Sequence, residues 1–129
     1  MEYIKIIFSA LGTGLIYVLG GWDVAIQCLL VAIVIDYITG LLKGFKKGKL
    51  SSSVGLKGII KKVGILCLVA LSVIVDRLVG ETGLIRNTVI YYLTANEGLS
   101  IIENLGEMNV LVPKILKEKL EQLKEKEGE

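Results

Sequence analysis

The stretch that most constrains this chain runs from Ala32 to Leu66, AIVIDYITGLLKGFKKGKLSSSVGLKGIIKKVGIL. An apolar run with one acid inside it, Asp36, leads into a short lysine-rich link, and a second apolar run follows. The seven lysines are Lys43, Lys46, Lys47, Lys49, Lys57, Lys61 and Lys62, and no acid lies among them. A soluble domain has little reason to set such a cluster between two greasy segments. A membrane protein does, because cationic links stay on the cytoplasmic side of the bilayer. The cluster therefore sets the orientation of the chain as well as its class.

Composition points the same way. Of 129 residues 53% are hydrophobic, and the mean hydropathy is +0.66, well above a soluble domain with a polar shell. The length allows one domain at most. A net charge of +2 says little, since the charges are segregated along the chain. The absence of histidine removes the commonest general base and the commonest metal ligand. Cys28 and Cys67 lie mid-way along apolar runs and read as small buried hydrophobes rather than a disulfide or metal pair. Lys5 and the apolar stretch after it resemble a signal peptide. Gly20-Gly21-Trp22-Asp23 is a poor cleavage site, however, so an uncleaved span is expected.

Read in order, the chain predicts an all-α integral membrane helical bundle. Four transmembrane helices are expected, at about residues 4–20, 24–42, 59–79 and 84–105, within a domain covering 1–112. Residues 43–58 form a lysine-rich cytoplasmic loop, in which Ser51 to Ser53 are candidate caps for the next helix. Residues 113–129 form a charged, amphipathic cytoplasmic helix, entered at Pro113 and frayed from about Lys124. In the first segment Ser9 and Thr13, with Gly12 and Gly20 nearby, offer a small-residue face, and Trp22 sits at interfacial height. Gly40 and Gly44, at GxxxG spacing, are candidate helix-packing positions in the second.

The fourth segment is the least apolar, because Asn96, Glu97, Ser100, Glu103 and Asn104 recur at three- and four-residue spacing along one face. It either spans with that stripe turned inward or lies flat in the interface. Counting cations favours four spans with both ends inside. Thirteen of the fifteen, namely Lys5, the link and the tail, are then cytoplasmic, leaving Arg77 and Arg86 outside. A fourth segment left outside would divide them almost evenly, whereas a three-span arrangement without segment one fits nearly as well.

No nucleophile with a base, acid–base pair or metal cluster takes convincing form, so neither enzyme chemistry nor a cofactor is expected. Nucleic acid is not an expected partner, since nothing aromatic interleaves with the basic run. The candidate functional residues are instead a polar network: Asp36, Thr39, Lys57, Lys61, Lys62, Asn96, Glu97, Ser100, Glu103 and Asn104. In the simpler reading the acids neutralise lysines and pin helices together. In the sharper one the network opens and lines water in an oligomer.

Two ordered motifs carry a family resemblance. The first is Asp36-Tyr37-Ile38-Thr39-Gly40, followed by Lys43, Lys49, Ser51-Ser52-Ser53, Gly55, Lys57-Gly58 and Lys61-Lys62. The second is Asn96-Glu97-Gly98-Leu99-Ser100-Ile101-Ile102-Glu103-Asn104, followed by Pro113 and the leucine-bearing tail. Together, over roughly residues 30 to 125, they resemble the toxin-secretion/phage-lysis holin family. The resemblance implies a protein that self-associates as a homo-oligomer in the bacterial inner membrane and forms timed lesions. A cell-wall hydrolase (endolysin) or a toxin would leave through these as cargo, without specific binding. In that family an antiholin partner, a longer inhibitory form, is often made from a dual start; this chain departs from the pattern, since its methionines are Met1 and Met108 and no nearby internal methionine start is visible. Two other classes compete: a small ion- or proton-coupled transporter using Asp36 and Glu97, and an adaptor whose cationic link and tail recruit a cytosolic protein.

Overall fold

Local signals set the helix ends. The computed structural model describes residues 1–80 and 82–128, so Glu81 and the last residue of the expected tail, Glu129, lie outside the described residues. These form five helices: α1 (Glu2–Val18), α2 (Val24–Lys46), α3 (Ser52–Val79), α4 (Leu84–Glu107) and α5 (Lys114–Gly128). Gly20 and Gly21 turn the chain at positive φ, and the Asp23 side chain caps α2 by accepting from the Ile26 amide at 3.1 Å. Lys43 and Lys46 lie in the last turn of α2, where they complement the helix dipole. Ser51 caps α3, accepting from the Val54 amide at 3.2 Å, and Gly80 in the left-handed region ends it.

The lysine-rich link is shorter than the sequence suggested. Of residues 43–58, only 47–51 lie outside the helices, and Lys57 rides on α3 itself. The tail helix continues past Lys124 to Gly128.

Buried positions fall at three- and four-residue spacing on each central helix: Ile26, Leu29, Ile33, Asp36 and Thr39 on α2, and Ile65, Val69, Ser72, Val73 and Asp76 on α3. On α4 they include Arg86, Ile90, Leu93, Glu97 and Asn104. These stripes meet as a three-helix bundle. Arg86 at the start of α4 touches Asp23 at the start of α2, and Glu107 at its end pairs with Lys47 just past the end of α2. The helices α2 and α4 therefore run parallel, with α3 antiparallel beside them. An apolar middle of Leu19, Ile26, Leu29, Ile33, Ile65, Val69, Ile90 and Leu93 separates two polar layers.

The outside of the bundle is apolar. Val31, Val34, Ile35, Ile38, Leu68, Leu71 and Ile74 are exposed, while Asp36, Asp76, Arg86 and Glu97 are buried. This inverts the ordering of a water-soluble domain and suits a hydrocarbon surround. Helices α2 and α3 are each long and apolar enough to cross a membrane. The same inversion corrects the expectation for Cys28 and Cys67. Both are free and exposed, because an apolar position here faces outward as readily as inward.

Helix α1 buries none of its residues, and a side chain at Gly12 would meet open space. The small-residue face of Ser9 and Thr13 is thus unused within the chain. Its junction is tight, by contrast. A Cβ at Gly20 would lie 2.5 Å from Arg86 Nε and 2.9 Å from Val73 Cγ2, at a φ of +87°. Gly20→Ala should lower the unfolding midpoint followed by circular dichroism in detergent, with about 1–2 kcal/mol from the left-handed backbone alone. Gly12→Ala should leave it unchanged.

Candidate functional site

Lys62 lies at the centre of the site. It is carried by α3, between Asp36 of α2 and Glu97 of α4. Its Nζ donates to Asp36 Oδ2 and, at 2.5 Å, to Glu97 Oε2. The three side chains are 12%, 8% and 1% exposed, so water contributes little to their solvation. The second Asp36 oxygen accepts from Asn104 Nδ2 at 3.1 Å, and the same amide donates to Thr39 Oγ1 at 3.0 Å. The Thr39 hydroxyl donates back to the Ile35 carbonyl at 2.8 Å. Among the described residues no buried side-chain nitrogen or oxygen lacks a partner. Two carboxylates share one ammonium, which leaves a formal excess of one negative charge when all three are ionised.

Asp36, Thr39, Lys62, Glu97 and Asn104 are thus brought together, and Ser100 lines a cavity of about 260 Å³ with Asp36, Lys62 and Asn104. Lys61 reaches the same cavity but is exposed, and Lys57 is exposed on α3. Glu103 is exposed beside Lys43 and Glu107. Asn96 is turned away from the network: its Oδ1 accepts from Lys124 of α5 at 3.0 Å. One helical stripe is therefore divided, because residues a single position apart, Asn96 and Glu97, point about 100° apart. Gly40 faces Asn104, whose Nδ2 would lie 3.8 Å from an added Cβ, while Gly44 faces Leu50 of the link rather than another helix. Tyr37 instead fills the gap beside α3. A Cβ at Gly58 would lie 3.0 Å from its ring, and its hydroxyl donates to the Gly55 carbonyl at 3.3 Å.

Sequence reasoning missed a second polar layer at the other end of the bundle. Arg86, 5% exposed, donates from Nη1 and Nη2 to the two Asp23 oxygens at 2.7 and 3.1 Å, and from Nε to the Leu19 carbonyl at 2.6 Å. Asp76 of α3 accepts from the Ile85 and Arg86 amides at 3.1 and 2.8 Å, so a carboxylate from another helix caps α4. The available signal was the pairing of Asp23 and Asp76 with Arg86 at the same ends of adjacent segments. Charge counting hid it by treating the arginines as external cations only. Arg77 stacks 4.3 Å from the Tyr17 ring and fastens the end of α1. The guanidinium of Arg86 holds the Asp23 carboxyl below its ordinary value of 3.8. Lys47 likewise holds the exposed Glu107 below the usual carboxylate range.

Two helices of membrane-crossing length, clad in apolar side chains around buried charge, define a helical membrane protein. The chain belongs to the bacteriophage holin family, which it matches over residues 13–125. Holins are not an enzyme family, and among the described residues no group of His, Cys, Asp and Glu could hold a metal ion. The chain is 41% identical to an uncharacterized 14.9 kDa protein from the nagH 3′ region of Clostridium perfringens, covering 98% of this chain and 96% of that protein. An uncharacterized Listeria monocytogenes protein, Lmo0128, is 44% identical over 85% of this chain and 80% of its own length. A probable holin of Bacillus phage phi105 is 30% identical over 74% of this chain and 70% of its own length. No solved structure matches the chain.

Two outcomes test these polar layers. Lys62→Met leaves two buried carboxylates without their cation and should cost about 3–5 kcal/mol of stability in detergent, much of it recovered by adding Asp36→Asn and Glu97→Gln. For Asp23 the folded value is the lower one. The stability it contributes is therefore present above pH 3.8 and is lost as pH falls through the folded value. Acid titration of Asp23→Asn should lack that component of destabilisation below pH 3.8.

Proposed function

We propose that this protein is a holin of the bacterial inner membrane, which self-associates and opens timed lesions through which a cell-wall hydrolase or a toxin leaves. The observation that carries this reading is a buried Asp36–Lys62–Glu97 group inside an otherwise apolar-clad bundle. Such a group is costly in hydrocarbon unless paired or wetted, so it favours two states, one packed and one open to water. A single bundle of this size is too narrow for a folded protein, and passage requires many copies. In the resting state Asp36, Thr39, Lys62, Glu97, Ser100 and Asn104 are packed away. In the lesion they meet water.

The orientation belongs to the same proposal. Lysines at the C-terminal end of α2 and the start of α3 face the cytoplasm, with Arg77 and Arg86 outside. Helix α4 crosses alongside α2, and α1 makes the fourth crossing, so both termini are cytoplasmic. A related antiholin form acts as the inhibitory partner.

Induced expression in a bacterium, with membrane potential and size-resolved leakage of cytoplasmic proteins followed over time, tests the reading. A delayed, abrupt collapse with release of proteins is expected. Continued growth with a steady pH-dependent ion flux and no protein release would instead fit a transporter working through Asp36 and Glu97. Asp36→Leu should shift the time of collapse; unchanged timing would remove that carboxylate from the mechanism.

A further inference from the structure

Helix α5 folds back along α4 rather than trailing away from it. Leu120 fills the notch left by Gly98, where an added Cβ would lie 2.8 Å from its Cδ1. Lys124 donates to Asn96 at 3.0 Å and sits 5.8 Å from the centre of the Tyr92 ring. These contacts are far from the end of the bundle. The Lys47–Glu107 pair sets the end of α4 level with the end of α2. From Glu107 back to Asn96 is about 16 Å along the helix at 1.5 Å per residue, roughly half the thickness of the hydrocarbon layer.

The outward side of α5 cannot face lipid at that depth. Lys117 and Glu121 form an i,i+4 pair and are 60% and 48% exposed, while Glu118 and Glu125 are exposed beside them. Several ionised side chains on one helix inside the hydrocarbon layer would each cost a few kcal/mol. With α2 crossing and α4 packed parallel to it, that face requires water.

We propose that the α4–α5 hairpin is the water-facing wall of the assembled protein, with α5 lining a wet volume that enters the bilayer from the lysine-rich end. Further copies of this chain bound that volume and keep lipid from the charged face. The inference rests on the self-associating reading above and adds to it. It adds Lys117, Glu118, Glu121 and Glu125 to the residues that meet water in the lesion, with Leu120 and Lys124 fastening the wall to α4.

The test uses the full chain in phospholipid vesicles, with Cys28 and Cys67, both on the outer surface, first changed to alanine. Gly98→Cys with Leu120→Cys should form an intrachain disulfide on mild oxidation in the membrane. Separately, a spin label on Glu121→Cys should collide with a water-soluble nickel complex severalfold more often than one on the outward Val34→Cys, and less often with oxygen. Failure of the disulfide to form overturns the proposal, since α5 would then lie away from α4. A label at position 121 that behaves like that at 34 overturns it as well. Release of an encapsulated protein from the same vesicles is read in parallel. Release without the disulfide sinks the wall alone, whereas a docked, wet α5 without release sinks the lesion-forming reading and leaves the wall standing.

Discussion

Everything in this bundle is arranged around one ammonium shared by two carboxylates. In water the apolar effect would hold the helices together, but between lipid tails it offers no such drive, and helices associate through packing and hydrogen bonds. Lys62 supplies a bond from α3 to each of the other two helices. Asn104 ties α4 to α2 a second time. The apolar middle then needs only to fit. At the far end Arg86 repeats the device with different chemistry, gathering Asp23 and the backbone of the first turn. Its planar guanidinium matches the Asp23 carboxylate with two bonds, a geometry that lysine does not reproduce.

The position of α4 follows from this. It is too polar to resemble α2 or α3, yet it lies between helices on two sides. Glu97 and Asn104 face the inner network, while Asn96, Gly98 and Tyr92 receive α5. A helix with two polar faces is unstable in lipid by itself and is satisfied here from both directions. The exposed apolar residues of α2 and α3 form the side presented to hydrocarbon.

Much of this was legible in the sequence, for identifiable reasons. Apolar runs interrupted by glycine and serine gave the helices, and Ser51 caps α3 as its position suggested. The ion-pair group was half legible. Asp36 was conspicuous as a lone acid in an apolar run, and Glu97 as part of a periodic stripe. Which lysine would answer them was not, because Lys57, Lys61 and Lys62 differ only in angle about α3. Asn96 and Glu103 shared the stripe yet point elsewhere, since an amphipathic face is wide enough for two partners. Arg86 was missed because a charge near a segment end reads as a solvated flank until a carboxylate from another helix is seen beside it. The outward cysteines show the converse, that hydrophobicity in a membrane chain reports the surroundings and not the depth.

The parallel course of α2 and α4 has a consequence of parity. The closed bundle passes between its two polar layers an odd number of times, so Asp23 and Glu107 mark opposite faces of it. Nothing inside the bundle can bring the beginning of the chain round to the side of its end. That depends on α1 alone, the helix that buries none of its residues and is held, among the described residues, at the glycine turn and by Arg77 against Tyr17. Which face of the bundle Met1 shares is therefore decided by a helix that contributes no buried residue to the core.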